Sequence, residues 1–144
     1  MKTKILTSNQ LHEAVRLLHQ GQLVAIPTET VYGLAALISS ESAISSIFTV
    51  KKRPADNPLI VHITSLNQID QIARPPSKLF FQLAEAFFPG PLTIIIPRHR
   101  NLSPLISAGL GSVAIRMPSH PIATDLIQML GAPIVAPSAN LSGR

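Results

Sequence analysis

Two cations at close spacing lie in the run KKRPADNPL, residues 51 to 59. Lys51 and Arg53 share one side of the backbone if the chain is extended as it approaches Pro54, because a proline pushes the preceding residue toward extended conformations. Two cations on one side can bind a phosphate or a carboxylate. A solvated charge run is the ordinary alternative, but the apolar strand that follows would let their stems be buried.

A second run, PTETVYGL at residues 27 to 34, carries hydroxyl groups where an apolar stretch ends. Thr28 and Thr30 leave that predicted strand, and each hydroxyl can donate and accept a hydrogen bond. This pattern is typical of a ligand-facing turn in an α/β protein. The alternative is a threonine-rich strand end with a buried Tyr32.

A third run, APSANLSG at residues 136 to 143, gathers small polar side chains. Ser138, Asn140 and Ser142 beside a glycine suit an amide-rich nest or a helix start that holds anionic oxygens. A plain turn, with side chains bonded to the local main chain, is the other interpretation.

Two polar residues occur inside otherwise apolar predicted strands. His62 lies in PLIVHIT, and a lone strand histidine is more often a satisfied structural residue than a ligand. Arg116 lies in SVAIRMP, and an arginine in such a strand must pair with something. Its partner is either a structural carboxylate or a carboxylate or phosphate of a ligand.

Composition excludes several classes of chemistry. The chain has no cysteine, so it has no disulfide, thiol nucleophile or zinc–thiolate site, which suits a cytoplasmic protein. Its 7 acidic residues form no close cluster in sequence, so we expect no metal held by the protein alone, and Mg²⁺ would arrive on substrate phosphates. The net charge of +5 favours nucleotide phosphates or RNA, or simply maintains solubility. No apolar run is long enough to span a membrane.

Helical and strand patterns alternate along the chain. We predict a helix capped by Ser8 and ended by Gly21, then helices after Ser40, Ser65 and the Pro75-Pro76 pair, and a last one from Pro121 to Leu130. The predicted strands are LVAIP, PLIVHIT, LTIIIP, SVAIRMP and PIVAPS, with irregular chain at 98 to 109. This order resembles repeated βαβ units and predicts one α/β domain over residues 1–144, with a twisted sheet flanked by helices.

Taken in order, these runs resemble the YrdC family, the threonylcarbamoyl-AMP synthases, in its short form. The shared features are PTETVYGL, Lys-x-Arg-Pro with NPL and a strand histidine, PGPLT, AIRMP and PSANLSG, over roughly residues 8 to 144. The resemblance implies a twisted mixed sheet around a large basic cavity. It also implies an enzyme that joins L-threonine, bicarbonate or CO₂, and ATP into threonylcarbamoyl-AMP and pyrophosphate.

The same resemblance implies roles for individual residues. Threonine binding maps to Thr30, His62, Arg116 and the main chain of Ala136. ATP binding maps to Arg53, Asn57, Ser112 and Ser138. Lys51 and Asn140 complete the family's Lys-x-Arg and Ser-x-Asn set, so the implied catalytic residues are Lys51, Arg53, Ser138 and Asn140.

The resemblance further implies partners and alternatives. The product would pass to a threonylcarbamoyl transferase complex that modifies tRNA. Family members continue for several more elements after PSANLSG, so we expect a chain truncated at its C-terminal end. A catalytically impaired module that binds tRNA or double-stranded RNA is therefore the alternative function. The related carbamoyl transferase of hydrogenase maturation is disfavoured, because acylphosphatase-like and zinc-finger segments are missing.

Overall fold

The computed structural model describes residues 2–143 of the 144-residue chain, and all bounds below refer to that part. The α-helices are α1 (Leu11–His19), α2 (Glu41–Lys51), α3 (Lys78–Phe87), α4 (Pro104–Ser107) and α5 (Pro121–Leu130). Short 3₁₀ helices span Ser8–Gln10 and Leu66–Gln71. The strands are β1 (Val24–Ile26), β2 (Gly33–Leu37), β3 (Ile60–His62), β4 (Ile94–Pro97), β5 (Ser112–Arg116) and β6 (Ile134–Val135).

The six strands form one sheet in the order β1-β2-β6-β3-β5-β4. Strands β3 and β5 run parallel, whereas the other neighbouring pairs among residues 2–143 are antiparallel. The mixed, helix-flanked sheet confirms the predicted α/β fold, but the prediction of βαβ units throughout was wrong. That prediction rested on the alternation of helices and strands along the chain. Alternation does not require parallel strands, because a strand that follows a helix can still lie antiparallel to its neighbour in the sheet.

Both faces of the sheet are covered. On one face α2, α3 and α4 pack around residues such as Ile47, Phe80 and Val61. On the other, α1 and α5 pack around Leu18 and Leu126. The central strands therefore bury both of their faces and hold the ends of β3, β5 and β6 rigidly.

Two elements were missed by the sequence patterns. Strand β2 has the sequence GLAAL and was not predicted, since a strand buried on both faces lacks polar alternation and small residues have low strand propensity. Helix α4 lies inside the stretch 98 to 109 that was predicted to be irregular. Ser103 accepts a hydrogen bond from the amide of Leu105 and so starts this single turn.

Helix ends agree with the sequence signals with one exception. Helix α5 spans Pro121–Leu130 as predicted and is followed by Gly131 in a left-handed conformation at φ 72°. Ser40 and Ser65 both accept capping hydrogen bonds from main-chain amides. Ser8 is not a cap, because the preceding Thr7 is the N-cap of the short 3₁₀ helix before α1.

A search of the described helices for one long and apolar enough to cross a bilayer finds none.

Candidate functional site

A cavity of about 430 Å³ lies along β3, from Pro58 before the strand to His62 at its end. It also reaches Arg116 at the end of β5, Gly33 at the start of β2 and the segment that follows β6. Its walls come from four parts of the chain that are distant in sequence. The lining residues are Thr28, Thr30, Val31, Gly33, Arg53, Asn57, Pro58, Ile60, His62, Arg116, Ala136, Pro137 and Ser138. A volume of this size suits a small-molecule ligand.

The parallel pairing of β3 with β5 brings two of the predicted site residues side by side. His62 and Arg116 are register partners, and each is the last residue of its strand. Carboxyl ends of parallel strands lie at the same edge of a sheet, so the two residues are neighbours there, and both line the cavity. The long stretch of chain between them hides this proximity from any local pattern.

His62 is buried in a defined orientation. Its residue surface is 2% exposed, and its ring Nδ1 lies 3.1 Å from the carbonyl oxygen of Ile60. A carbonyl can only accept, so Nδ1 carries the proton and Nε2 of the neutral ring has a free lone pair. Burial lowers the pKa of His62 to about 4, although the hydrogen bond to Ile60 opposes the shift. At neutral pH the ring is therefore an uncharged hydrogen-bond acceptor at Nε2.

Arg116 is held from three directions. Its Nε donates to the carbonyl of Gly90 at 3.3 Å, and one terminal nitrogen donates to the Thr30 hydroxyl at 3.2 Å. The other terminal nitrogen forms a salt bridge with Glu29. Burial lowers the pKa of Arg116, but a guanidinium in a protein remains charged. Of the two partners considered from sequence, the structure contains the carboxylate, and Arg116 also lines the cavity.

Glu29 was not recognised from sequence as a site residue. Its second carboxylate oxygen accepts hydrogen bonds from the amides of Ser119 and His120, at 3.0 and 3.2 Å. These amides immediately precede α5. The scarcity of acidic residues could have indicated Glu29 from sequence, since a buried Arg116 has few possible carboxylate partners in this chain.

The turn after β1 is organised by Thr28. Its hydroxyl accepts from the amides of Thr30 and Val31, both at 3.3 Å, and lies 3.1 Å from the Thr30 hydroxyl. This bonding aims Thr30 toward Arg116. Tyr32 is 62% exposed, so the alternative of a threonine-rich strand end with a buried Tyr32 was wrong.

The segment after β6 forms the opposite wall through close main-chain contact. Gly33 pairs with Ser138 in an isolated antiparallel bridge, and the carbonyl of Pro137 accepts from the amide of Leu34 at 2.7 Å. The amide of Ala136 donates to the Ile60 carbonyl at 3.3 Å. These bonds bring Ala136 and Ser138 into the same cavity as Thr30 and His62.

Arg53 and Asn57 form the wall on the side of α2. Arg53 donates from Nε to the carbonyl of Asn57 at 3.2 Å and from a terminal nitrogen to the carbonyl of Pro58 at 2.6 Å. Partial burial lowers its pKa. These bonds close the loop between α2 and β3 around the guanidinium.

Lys51 and Arg53 do not share a side of an extended chain, so that local prediction was wrong. Lys51 ends α2, and Lys52 is left-handed at φ 51°, so the chain is not extended there and strand alternation does not relate the two side chains. The Lys51 side chain is buried and its Nζ donates to the carbonyls of Ser138 and Asn140. The carbonyl of Lys51 in turn accepts from the amide of Ser142 at 3.0 Å.

The segment APSANLSG is thus a turn whose carbonyls hold a cation. The amide group of Asn140 also donates to the Leu141 carbonyl at 2.9 Å, a local bond of the kind that a plain turn predicts. No described helix begins in this segment, so the helix start considered from sequence is not observed over residues 136–143.

Three of the residues implied by the family resemblance lie outside the cavity lining: Lys51, Ser112 and Asn140. Lys51 adjoins it through its bond to the carbonyl of Ser138, and the carbonyl of Asn140 accepts from the same Lys51 amino group. Ser112 begins β5, at the opposite end from Arg116, and four residue steps along the strand separate the two by about 13 Å. Its assignment to ATP stays a prediction.

The cavity is basic and offers little to a metal ion. Its walls hold Arg53 and Arg116 but no aspartate or glutamate among the described lining residues. Across residues 2–143 no group of three or more His, Cys, Asp or Glu side chains could hold a metal. Such a donor set does not fit a divalent cation bound by the protein alone.

Curated relatives match most of the chain. Threonylcarbamoyl-AMP synthase of Bacillus subtilis (strain 168) is 48% identical over 136 residues, which cover 94% of this chain and 39% of the relative. The protein of that name from Pyrococcus abyssi is also 48% identical, over 91% of this chain and 38% of its own. The chain therefore spans about two fifths of the length of these relatives.

Solved structures match the fold closely. The crystal structure of P. abyssi Sua5 complexed with L-threonine superposes with a TM-score of 0.92 at 45% identity, covering 98% of this chain and 42% of that one. Escherichia coli YciO shares the fold, with a TM-score of 0.84 at 22% identity over 98% of this chain and 68% of its own. A family model, Sua5_yciO_yrdC, described as "Telomere recombination", matches residues 16–144. With a family match over most of its length and a closely similar fold, the chain belongs to the Sua5/YciO/YrdC family.

Proposed function

We propose that this chain is the catalytic domain of an L-threonylcarbamoyladenylate synthase, spanning residues 1–144. The observation that carries the proposal is the cavity in which Thr30, His62 and Arg116 adjoin Arg53 and Ser138. Relatives at 48% identity are named for this activity, and a similar P. abyssi structure is described as a complex with L-threonine. The substrates would be L-threonine, bicarbonate or CO₂, and ATP.

In this proposal threonine is bound by Arg116, His62 and Thr30, whose hydrogen bonds within the protein are given above. The unsatisfied part of the Arg116 guanidinium would take the carboxylate. The free lone pair of His62 Nε2 would accept from the threonine hydroxyl, and Thr30 would add a hydroxyl partner. The main chain of Ala136 would complete the contacts.

The nucleotide would lie toward Arg53 and the loop before β3. Arg53, Asn57 and Ser138 would contact ATP, and Ser112 would do so only from the far end of β5. Lys51, Arg53, Ser138 and Asn140 form the proposed catalytic set. In the structure Lys51 and Asn140 act on the main chain around Ser138, which supports a role in holding that wall.

The chemistry needs no covalent enzyme intermediate. The deprotonated threonine amine adds to CO₂ with loss of a proton, or to bicarbonate with loss of water, to give a carbamate. A carbamate oxygen then attacks the α-phosphorus of ATP. The P–O bond to the pyrophosphate then breaks and pyrophosphate leaves. Arg53 would offset the developing negative charge, and fixing both anions in one cavity would overcome their repulsion. Mg²⁺ would enter only as the counter-ion of the nucleotide, since the described residues offer no cage for it.

We further infer that the product serves threonylcarbamoyladenosine formation in tRNA, through a downstream threonylcarbamoyl transferase complex in the cytoplasm. The net charge of +5 is compatible with transient contact with tRNA or double-stranded RNA.

The test is pyrophosphate release from ATP by the purified chain, with and without L-threonine and bicarbonate. Release that requires both is the expected result. If tRNA binds with a steep salt dependence and no threonine-dependent pyrophosphate forms, the RNA-binding alternative replaces the synthase.

A further inference from the structure

We propose that Glu29 is a positioning residue that fixes the guanidinium of Arg116 for a ligand carboxylate. The inference deepens the proposed function, because it rests on Arg116 as the anion-binding group of the threonine subsite. Glu29 itself is absent from the described cavity lining, whereas Arg116 and Thr30 are part of it. Glu29 therefore acts on the ligand through Arg116.

The hydrogen bonds and the salt bridge around Arg116 hold its guanidinium in one orientation. Nε is bonded to the Gly90 carbonyl, one terminal nitrogen to Thr30 and the other to Glu29. A guanidinium has five N–H groups in a fixed plane, so three bonds along its edges set that plane and leave two N–H groups for other partners. Arg116 lines the cavity, and in this proposal those two groups bind the ligand carboxylate.

Glu29 also connects Arg116 to a rigid element. Its second oxygen accepts from the amides of Ser119 and His120, next to the first turn of α5. Helix α5 is anchored by buried residues against α1 and the sheet. The carboxylate is thus held by a fixed part of the fold, and the salt bridge transmits that rigidity to Arg116.

The alternative role of Glu29 is to compete with a ligand carboxylate for Arg116. If Glu29 merely occupied Arg116, its removal would free a cation and a ligand carboxylate would bind more tightly. Positioning predicts the opposite, because an arginine that has lost its fixed plane binds a carboxylate at a poorer angle and loses more entropy on binding. The direction of the change in threonine affinity separates the two.

The primary experiment compares Glu29→Gln with wild type. The substituted side chain keeps an amide oxygen for the two main-chain donors but loses the charge that fixes Arg116. We expect the KM for threonine to rise by about 10- to 100-fold while the KM for ATP changes little, because misplacement of a positioning group costs up to about 100-fold. Glu85→Gln, which alters an exposed carboxylate on α3, is the matched control and should change neither constant. Tighter threonine binding by Glu29→Gln would overturn the proposal.

A double-mutant cycle tests whether Glu29 acts through Arg116. In an Arg116→Gln background, Glu29→Gln should add less than about 3-fold to the loss of threonine affinity, because the group it positions is gone. Full additivity would mean that Glu29 acts independently and would overturn the proposal. Thermal midpoints within a few degrees of wild type must accompany both variants. If Glu29→Gln fails this criterion it is replaced by Glu29→Asp, which keeps the charge but shortens its reach to Arg116; if Arg116→Gln fails it is replaced by Arg116→Lys, which removes the planar guanidinium.

A spectroscopic measurement separates this proposal from the proposed function. The Nε–H of Arg116, bonded to Gly90, should exchange slowly with water in ¹⁵N-labelled wild type, and its signal is assigned by its loss in Arg116→Lys. Glu29→Gln should speed this exchange at least about 10-fold, a result that requires no substrate or turnover. Unchanged exchange contradicts positioning even if the synthase is active. An inactive wild type with accelerated exchange in the variant contradicts only the proposed function.

Discussion

The side-chain amino group of Lys51 donates a hydrogen bond of 2.6 Å to the main-chain carbonyl of Ser138, 87 residues further along the chain. It also donates to the carbonyl of Asn140, and the Lys51 carbonyl accepts from Ser142. Burial, together with the neighbouring charge of Arg53, lowers the pKa of Lys51. The end of α2 is thereby tied to the cavity wall that follows β6.

Lys51→Met should therefore weaken folding as well as turnover. Two carbonyls lose a charged donor, so we expect the free energy of unfolding in urea, measured without nucleotide, to fall by about 2 kcal/mol. Lys52→Met, at the adjacent exposed and left-handed position, is the control and should have little effect. Unchanged stability with turnover reduced more than about 100-fold would instead assign Lys51 to phosphate alone.

Arg53→Ala should lower turnover by roughly 100-fold or more with a smaller effect on stability, by analogy with the loss of a preorganised electrostatic group. The measurement is the rate of threonine-dependent pyrophosphate release at saturating ATP. Arg100→Ala, which removes an exposed cation outside the cavity, controls for net charge. Near-normal release by Arg53→Ala would remove this residue from the catalytic set.

Selectivity for the threonine hydroxyl follows from the neutral state of His62. Its Nε2 lone pair would be left unpaired by 2-aminobutyrate, so that analogue should be used up to roughly 10⁴-fold less efficiently than threonine. The comparison of kcat/KM for the two amino acids checks this. Equal values would show that neither His62 nor Thr30 contacts the hydroxyl.

His62 should also make stability depend on pH. Its folded pKa of about 4 lies below the ordinary 6.5, so the unfolded chain binds the proton first as pH falls. The full contribution is present above pH 6.5 and is lost as pH falls toward 4, with about 2 kcal/mol lost between pH 6.5 and pH 5. Urea unfolding of wild type and His62→Gln at about pH 7 and pH 5 tests this, and an equal loss in both proteins would assign the effect to other groups.

Gly33→Ala should disturb the cavity wall. A methyl group at Gly33 would lie 3.2 Å from the Cβ of Ala136, whose own position is set by main-chain bonds. We expect unfolding to become easier by about 1 kcal/mol and threonine affinity to drop, because overpacking at this contact shifts the segment after β6. Gly111→Ala is the control, since an added methyl there meets nothing within 4 Å. Equal stability of the two variants would contradict the prediction.

Local sequence signals were sufficient to predict those helix ends that are set by residues close by in the chain. Helix α5 begins at Pro121 and ends before Gly131 as predicted, because a proline at the first turn and a left-handed glycine act within a few residues. Strand β2 escaped prediction because its burial on both faces depends on helices that are distant in sequence.

The order of the motifs in the sequence was sufficient to indicate the family and to name Thr30, His62 and Arg116 as one group. Tertiary structure alone decided how they are oriented: the register of β3 with β5 aligns His62 and Arg116, and Glu29 fixes the guanidinium. Tertiary structure also decided that Lys51 bonds to the carbonyls of Ser138 and Asn140. These relationships join residues tens of positions apart, and spacing along the chain carries no information about side-chain direction across a fold.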